Sequence, residues 1–240
     1  MVDHMKRILT PLLRFLSPAR DNWLARRLDS WAVRRALEAM VVRTDNFRGV
    51  KWLGQPLWQF PLGAWVLQEV IAELKPDVIL ETGTYSGGSA YFYASLCDLL
   101  GHGEVISLDV SPRATVPHPR ITYVQGSSTD PKILDSLAQR LRHSAAETLL
   151  IVLDSDHAAS HVEEELEGYA PLVPVGSYIH VQDGVIDELP CFGAARPGPK
   201  SAVQSFLLKH PQFTRDREIE TRYLITFHPF GWLRRIAPDP

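Results

Sequence analysis

The chain has 240 residues, is 45% hydrophobic and carries a formal net charge of −3. That length supports one α/β domain with some decoration and a core that needs no covalent staples, and the modest charge argues against a nucleic-acid partner. The two cysteines, Cys97 and Cys191, form no disulfide framework and no C-x-x-C pair, no run reaches the roughly 18 apolar residues of a membrane span, and residues 1–16 make a poor signal peptide, so a cytoplasmic protein is expected.

Residues 1–46 read as a helical extension and residues 47–240 as the main domain. Residues 1–43 hold nine Lys/Arg against four Asp/Glu, a balance of +5, while the remainder is at −8. Ile8, Leu12, Leu13, Phe15 and Leu16 suggest a short first helix. Leu24, Leu28, Trp31, Ala32 and Leu37 keep helical spacing in a second, with Asp21 or Asn22 as cap. The extension is expected to be a lid or a contact in a homo-oligomer; the plain alternative is a solvated arm. Residues 45–61 form a loop rich in aromatics: Phe47, Trp52, Trp58 and Phe60. They either floor a pocket or pack in the core. A helix is expected over residues 62–74.

The chain is organised around residues 78–90, VILETGTYSGGSA. A short apolar strand ends in Glu81, a glycine-rich turn follows, and a helix begins. Gly83 and Gly87 admit backbone angles that a Cβ would block. The helix start, with Tyr85, Ser86 and Ser89 around it, offers free N–H groups to a ligand. The glycines at 83, 87 and 88 do not match the G-x-G-x-x-G dinucleotide fingerprint. A second strand, residues 104–110, carries Asp109 at its end, 28 residues after Glu81. Such an acid takes ribose hydroxyls. The pair therefore fits S-adenosylmethionine, with Asp109 on the ribose and Glu81 pointing into the crevice near the amino-acid moiety.

A proline-broken loop, residues 111–119, leads to a third strand at 121–125. It ends in Gly126-Ser127-Ser128, a turn able to reach an adenine edge, or simply a cap, by Ser128 or Thr129, of the helix at 131–141. The fourth strand, 148–153, is apolar enough for a buried parallel position. The run Asp154-Ser155-Asp156-His157 follows, with His161 four residues on. A helix at 162–169 is expected to keep Glu163, Glu164, Glu165 and Glu167 mostly in water. The fifth strand, 176–182, ends Gln182-Asp183-Gly184. Adjacent strand ends would gather Asp154, Asp156 and Asp183 beside the cofactor, an oxygen set suited to Mg²⁺ or Mn²⁺. Residues 185–200 read as a mobile loop near the site, 201–209 as a helix, and 213–218 with 223–228 as a closing strand pair.

The stretch from Glu81 to Ala90 resembles the first motif of catechol-type O-methyltransferases. A longer likeness, over roughly residues 50–236, identifies the chain as similar to the cephalosporin hydroxylase/rhamnosyl O-methyltransferase family. It is carried by Trp52-Leu-Gly54, Gln59-Phe-Pro61, residues 76–81, Gly126-Ser-Ser128, Asp154-Ser-Asp156-His157, Gly168-Tyr169-Ala170-Pro171, Asp183-Gly184 and residues 231–235. The resemblance implies a Rossmann-like class I methyltransferase fold, with seven mostly parallel strands and a late antiparallel one. It implies S-adenosylmethionine, often Mg²⁺, and a small-molecule hydroxyl acceptor such as an antibiotic, a sugar or another secondary metabolite. In similar enzymes an acid after strand four and an acidic pair after strand five hold the metal. Here the pair reads Gln182-Asp183, with a neutral, weaker first ligand. Asp156 is the favoured strand-four ligand, with Asp154 nearer the cofactor. His157 is the first candidate base and His161 the second.

Two other classes compete. His157, His161 and Asp183 have the composition of a non-haem iron oxygenase triad. Gln182 supports a silent cofactor-binding partner subunit. A hydrolase would need G-x-S-x-G around Ser86 and a zinc protease H-E-x-x-H; neither motif is met.

Overall fold

The computed structural model describes residues 23–111 and 116–239, and for residues 23–30 the backbone alone. The expected first helix at residues 8–16, its neighbour's cap at Asp21 or Asn22, and residues 112–115 of the proline-broken loop lie outside the described residues.

Helix α1 spans Trp23–Arg43, and a short antiparallel pair, β1 (Lys51–Trp52) and β2 (Gln55–Pro56), follows it. The main domain then alternates: α2 (Pro61–Leu74), β3 (Val78–Thr82), α3 (Gly88–Leu100), β4 (Glu104–Asp109), β5 (Ile121–Gln125), α4 (Pro131–Ser144), β6 (Leu149–Leu153), α5 (Ala159–Tyr169) and β7 (Tyr178–Val181). It closes with α6 (Pro199–Lys209), β8 (Phe213–Arg215), α7 (Arg217–Glu220) and β9 (Trp232–Arg235). The seven-stranded sheet runs β5-β4-β3-β6-β7-β9-β8. Its first five strands are parallel and β9 is antiparallel to both neighbours. This is the expected Rossmann-like class I methyltransferase architecture.

Side chains alternate across the sheet, and both faces are covered. Val78 and Leu80 of β3, with Leu149, Ile151 and Leu153 of β6, pack against Leu137 and Leu141 of α4, Val162 and Leu166 of α5 and Phe206 of α6. Ile79, Leu150 and Val152 face the opposite way, onto Leu67 and Ile71 of α2 and Phe92 and Tyr93 of α3. Unbroken apolar strands such as LLIVL need this burial on both sides. A third cluster joins Leu37 and Val41 of α1 to Phe47, Phe60, Val185, Leu189 and Phe227. The end of the N-terminal helix is thus packed onto the main domain.

Three local expectations change. The closing pair forms between β8 and β9, not between residues 213–218 and 223–228. Leu224 takes a positive φ (65°), which breaks a strand there, and the Trp232–Arg235 run pairs with β7 instead. The loop at 185–200 is braced rather than loose. The Asp187 carboxylate accepts from the Gly198 and Ser201 backbone N–H groups and the Ser201 hydroxyl, and Arg196 donates to the Ile186 and Leu189 carbonyls. Helix α4 is capped by Asp130, whose carboxylate accepts from Lys132 N–H, and this leaves Ser128 free for other work.

Candidate active site

Strands β3, β4, β5, β6 and β7 all end at one edge of the sheet, and their loops line a single cleft of about 720 Å³. In open α/β sheets ligands bind outside the carboxyl ends of the strands. Two close approaches set its floor. Gly83 has φ +90, and a Cβ there would overlap the Asp154 backbone carbonyl; the loops after β3 and β6 touch. A Cβ on Gly88 would overlap the Pro56 carbonyl, so the β2 segment lies against the start of α3.

Most of the expected cofactor residues gather here; Gly87, with φ 74, caps the start of α3 outside the cleft lining, and Glu81 changes role. Tyr85, Ser86, Ser89, Asp109, Ser127, Ser128 and Asp154 line the cleft with Gly83. Asp109 Oδ2 accepts from Tyr85 N–H (2.9 Å) and Oδ1 from Ser111 N–H (2.7 Å), which fixes the carboxylate at the cleft wall. Glu81 is fully buried and lies beneath the glycine loop rather than on the cleft surface. Its Oε2 accepts from the Ser107 hydroxyl at 2.6 Å, and Oε1 has no hydrogen-bond partner. Burial pushes its pKa from 4.5 up to about 7, with the Asp109 charge adding to the rise and the Ser107 and Ser89 hydroxyls opposing it.

That shift carries a stability prediction. Between about 4.5 and about 7 the folded state holds a proton on Glu81 that the unfolded chain has released. Glu81 therefore stabilises the fold below the lower value, and the contribution is lost as pH rises through the upper one. Glu81→Gln is expected to flatten this fall, by roughly 3 kcal/mol at most, in urea melts taken across that window. An unchanged pH profile would show that the carboxyl is already ionised.

The acids at the ends of β6 and β7 come together. Asp154 Oδ1 lies 4.0 Å from His157 Nε2, and Asp183 Oδ2 lies 3.3 Å from the same nitrogen. One ligand atom from each of Asp154, His157 and Asp183 falls within 4.8 Å of the others. Burial pushes the Asp154 carboxyl well above the usual carboxylate range, reinforced by the charges of Asp183, Glu81 and Glu165. Two expected metal ligands sit elsewhere. Asp156 is exposed, and its Oδ1 accepts from Ala158 N–H as the chain turns into α5. Gln182 is buried, and its side-chain oxygen accepts from Gln59. The donor set that converges is two carboxylates and one imidazole, a set that suits a divalent cation.

His161 belongs to a different group. Its Nε2 is 3.1 Å from both the Ser128 and Ser155 hydroxyls and 3.7 Å from Glu165 Oε1. The Ser155 hydroxyl donates to Glu165 at 2.7 Å. Glu165 holds the His161 pKa above its ordinary value. Glu165 is 1% exposed, so one of the four glutamates expected in water is buried behind the cleft. His157 and His161 therefore do not join in one facial triad with Asp183. This removes the geometric basis of the iron-oxygenase reading.

Sequence reasoning also missed His228, which lies directly beneath Asp183. The aromatics divide. Trp52 packs on Phe92, Phe47 and Phe60 are buried with Phe227, and Trp58 stands at the cleft wall with its ring centroid 5.2 Å from that of Tyr85. Among the described residues the cleft wall carries Asp109, Asp154, Asp156 and Asp183 and no lysine or arginine. A wall of that sign selects cationic ligands.

The family model for rhamnosyl O-methyltransferase/CmcI matches residues 45–236. The chain belongs to this family. It is an O-methyltransferase by that membership. The chain is 33% identical over 190 residues to the rhamnosyl O-methyltransferase of Mycobacterium tuberculosis (strain H37Rv), across 77% of each chain. It is 31% identical over 192 residues to that of Mycobacterium leprae, across 77% of this chain and 82% of the relative. Among solved structures, apo CmcI superposes with a TM-score of 0.62 at 23% identity, over 80% of this chain and 78% of CmcI. CmcI with Mg and SAM gives 0.59 at 22% identity, over the same shares. At this identity the structural likeness speaks for the fold alone.

Proposed function

We propose that this O-methyltransferase moves the methyl group of S-adenosylmethionine to a hydroxyl of a sugar-bearing small molecule, beside a divalent cation. The observation that carries the reading is the cleft at the ends of β3 to β7, whose carboxylates are unmatched by any lysine or arginine among the described residues lining it, with Asp154, His157 and Asp183 converging in it together with Asp109. Asp109, fixed at the cleft wall by the Tyr85 and Ser111 N–H groups, fits a cationic cofactor beside it. The relatives' activity on rhamnosyl groups supports a sugar as the acceptor.

In this reading Asp109 accepts the ribose hydroxyls and Ser127 and Ser128 meet the adenine edge. Asp154 and Asp183 would hold the cation, which when bound would acidify an acceptor hydroxyl beside the electrophilic methyl that the cofactor supplies. His157 would take the hydroxyl proton at Nδ1, and the Asp183 carboxylate, 3.3 Å from Nε2, would stabilise the imidazolium that results. Asp156 and His161 act behind this centre, one turning the chain into α5 and the other tying the Ser128 and Ser155 loops together. Trp58 and Phe192 would give the acceptor an aromatic face on which a sugar ring packs.

Residues 1–46 act as a lid or subunit contact. The packing of Leu37 and Val41 against Phe47 supports the first role, and the exposure of Trp31, Met40 and Val42 supports self-association. No described helix is long and apolar enough to cross a membrane. The activity is tested by incubating the full chain with S-adenosylmethionine, Mg²⁺ and a panel of rhamnosides, phenols and free sugars, and measuring S-adenosylhomocysteine. The reading expects turnover on glycosides. Release on phenols alone would overturn the sugar assignment, and release on none of the panel would count against the methyl transfer itself.

A further inference from the structure

Asp183 sits in a backbone conformation that side chains rarely adopt. Its φ is +56 and its ψ 24, left-handed, at the point where β7 gives way to a 3₁₀ turn. Asparagine and aspartate tolerate this region better than most residues, but a non-glycine residue stays there only when its surroundings hold it. The hold comes from below. The Asp183 backbone N–H donates to His228 Nδ1 at 2.9 Å, and Asp183 Oδ1 lies 3.7 Å from the same nitrogen.

We infer that His228 is a positioning residue: through Nδ1 it anchors the Asp183 backbone N–H, fixing the left-handed turn that aims the Asp183 carboxylate at Asp154 and His157. The inference rests on the reading of Asp183 as a cation ligand and deepens it.

Burial favours the neutral form of the His228 ring, whose Nε2 has no hydrogen-bond partner among the described residues. It is 2% exposed, and burial drives its pKa down to about 3, with the neighbouring His180 adding to the fall and Asp183 opposing it. A neutral imidazole that accepts at Nδ1 must carry its proton on Nε2. The ring is packed on three sides. His180 lies edge-on with centroids 4.9 Å apart, Phe227 lies at 5.8 Å, and a Cβ on Gly63 of α2 would come within 2.9 Å of Nε2. Gly63 therefore leaves the room that the ring occupies. His180 is itself fixed, stacked on Trp232 at 4.0 Å. Trp232 of β9, His180 of β7 and the Gly63 backbone of α2 thus back a single acceptor nitrogen under the site. Groups that orient a metal ligand from behind commonly change metal affinity about 10- to 100-fold when removed.

The test uses Mn²⁺ as probe, read by electron paramagnetic resonance on the full chain, together with amide exchange at Asp183. In the wild type a scalar coupling across the N–H···N bond should link the Asp183 amide to His228 Nδ1. His228→Phe keeps the ring and removes the acceptor; it should speed exchange of the Asp183 amide and weaken Mn²⁺ binding about tenfold or more. His228→Asn places an oxygen near the Nδ1 position and should restore most of both. Gly63→Ala presses on the ring from a helix outside the site. The helix gain of about 1 kcal/mol offsets part of the crowding cost, so Mn²⁺ affinity should fall by more than the loss of thermal stability accounts for. If His228→Phe fails to fold, Gly63→Ala and His228→Asn decide the matter. A His228→Phe protein that melts earlier but keeps its Mn²⁺ affinity and Asp183 protection would overturn the inference, as would the absence of the coupling. A wild type that binds no Mn²⁺ would reject the cation reading alone; the coupling and the exchange rates would still judge His228.

Discussion

Gly83→Ala is expected to abolish measurable S-adenosylmethionine binding. Two costs fall on one residue. At φ +90 an alanine sits where its Cβ is disfavoured, at a cost on the order of 1–3 kcal/mol. The new methyl would also overlap the Asp154 carbonyl, a backbone atom that cannot rotate away. Asp154 N–H donates to the Thr82 carbonyl and Gly83 N–H to the Leu108 carbonyl, so separating the two loops would disturb the ends of β3, β4 and β6 together. Those ends carry the cofactor cradle and the first acid of the cation set. The check is calorimetry with S-adenosylmethionine beside a thermal melt. Affinity within a factor of two of the wild type would mean that the glycine loop is not the cofactor's seat.

Asp183→Asn is expected to lower turnover about 10²-fold, equivalent to about 2.7 kcal/mol in the barrier. Asparagine keeps the shape and the tolerance for left-handed backbone, so the loss measures charge and not folding. Chelation of the wild type with EDTA should give a similar loss, which Mg²⁺ reverses in the wild type and fails to reverse in the variant. Stability should move the other way. Asp183 raises the Asp154 pKa, so neutralising one acid relieves the other, and the variant free of ligands should melt no earlier than the wild type. Full activity in EDTA together with an active Asp183→Asn protein would reject the metal.

How much of this was legible in the sequence depended on what each residue's neighbours were. The β3–loop–α3 unit and the ends of β4, β6 and β7 were readable, because apolar strands ending in polar residues leave few alternatives. The choice between Asp154 and Asp156 was not. Asp154 still follows the sheet, its N–H bonded to the Thr82 carbonyl, and so reaches the cleft; two residues later the chain has turned into α5. Glu165 was hidden among Glu163, Glu164 and Glu167. Yet Val162, Leu166 and Tyr169 mark the buried stripe, and position 165 falls on it at helical spacing. His228 was lost inside an apolar run that looked like a strand. The true partner of β7, WLRR, was masked by its two arginines. Arg235 is buried and donates to the Ala170 and Val173 carbonyls, a contact set by a segment some 60 residues away. Such long-range partners leave no local period to read.

Titration of the purified chain with S-adenosylmethionine, run in parallel on the wild type and Asp109→Ala, tests the central claim most directly. The cleft predicts one site per chain, with affinity weakened in the variant by about 1–3 kcal/mol, the cost of losing charge-assisted hydrogen bonds. No heat of binding up to millimolar cofactor, or equal affinity in both proteins, would contradict it.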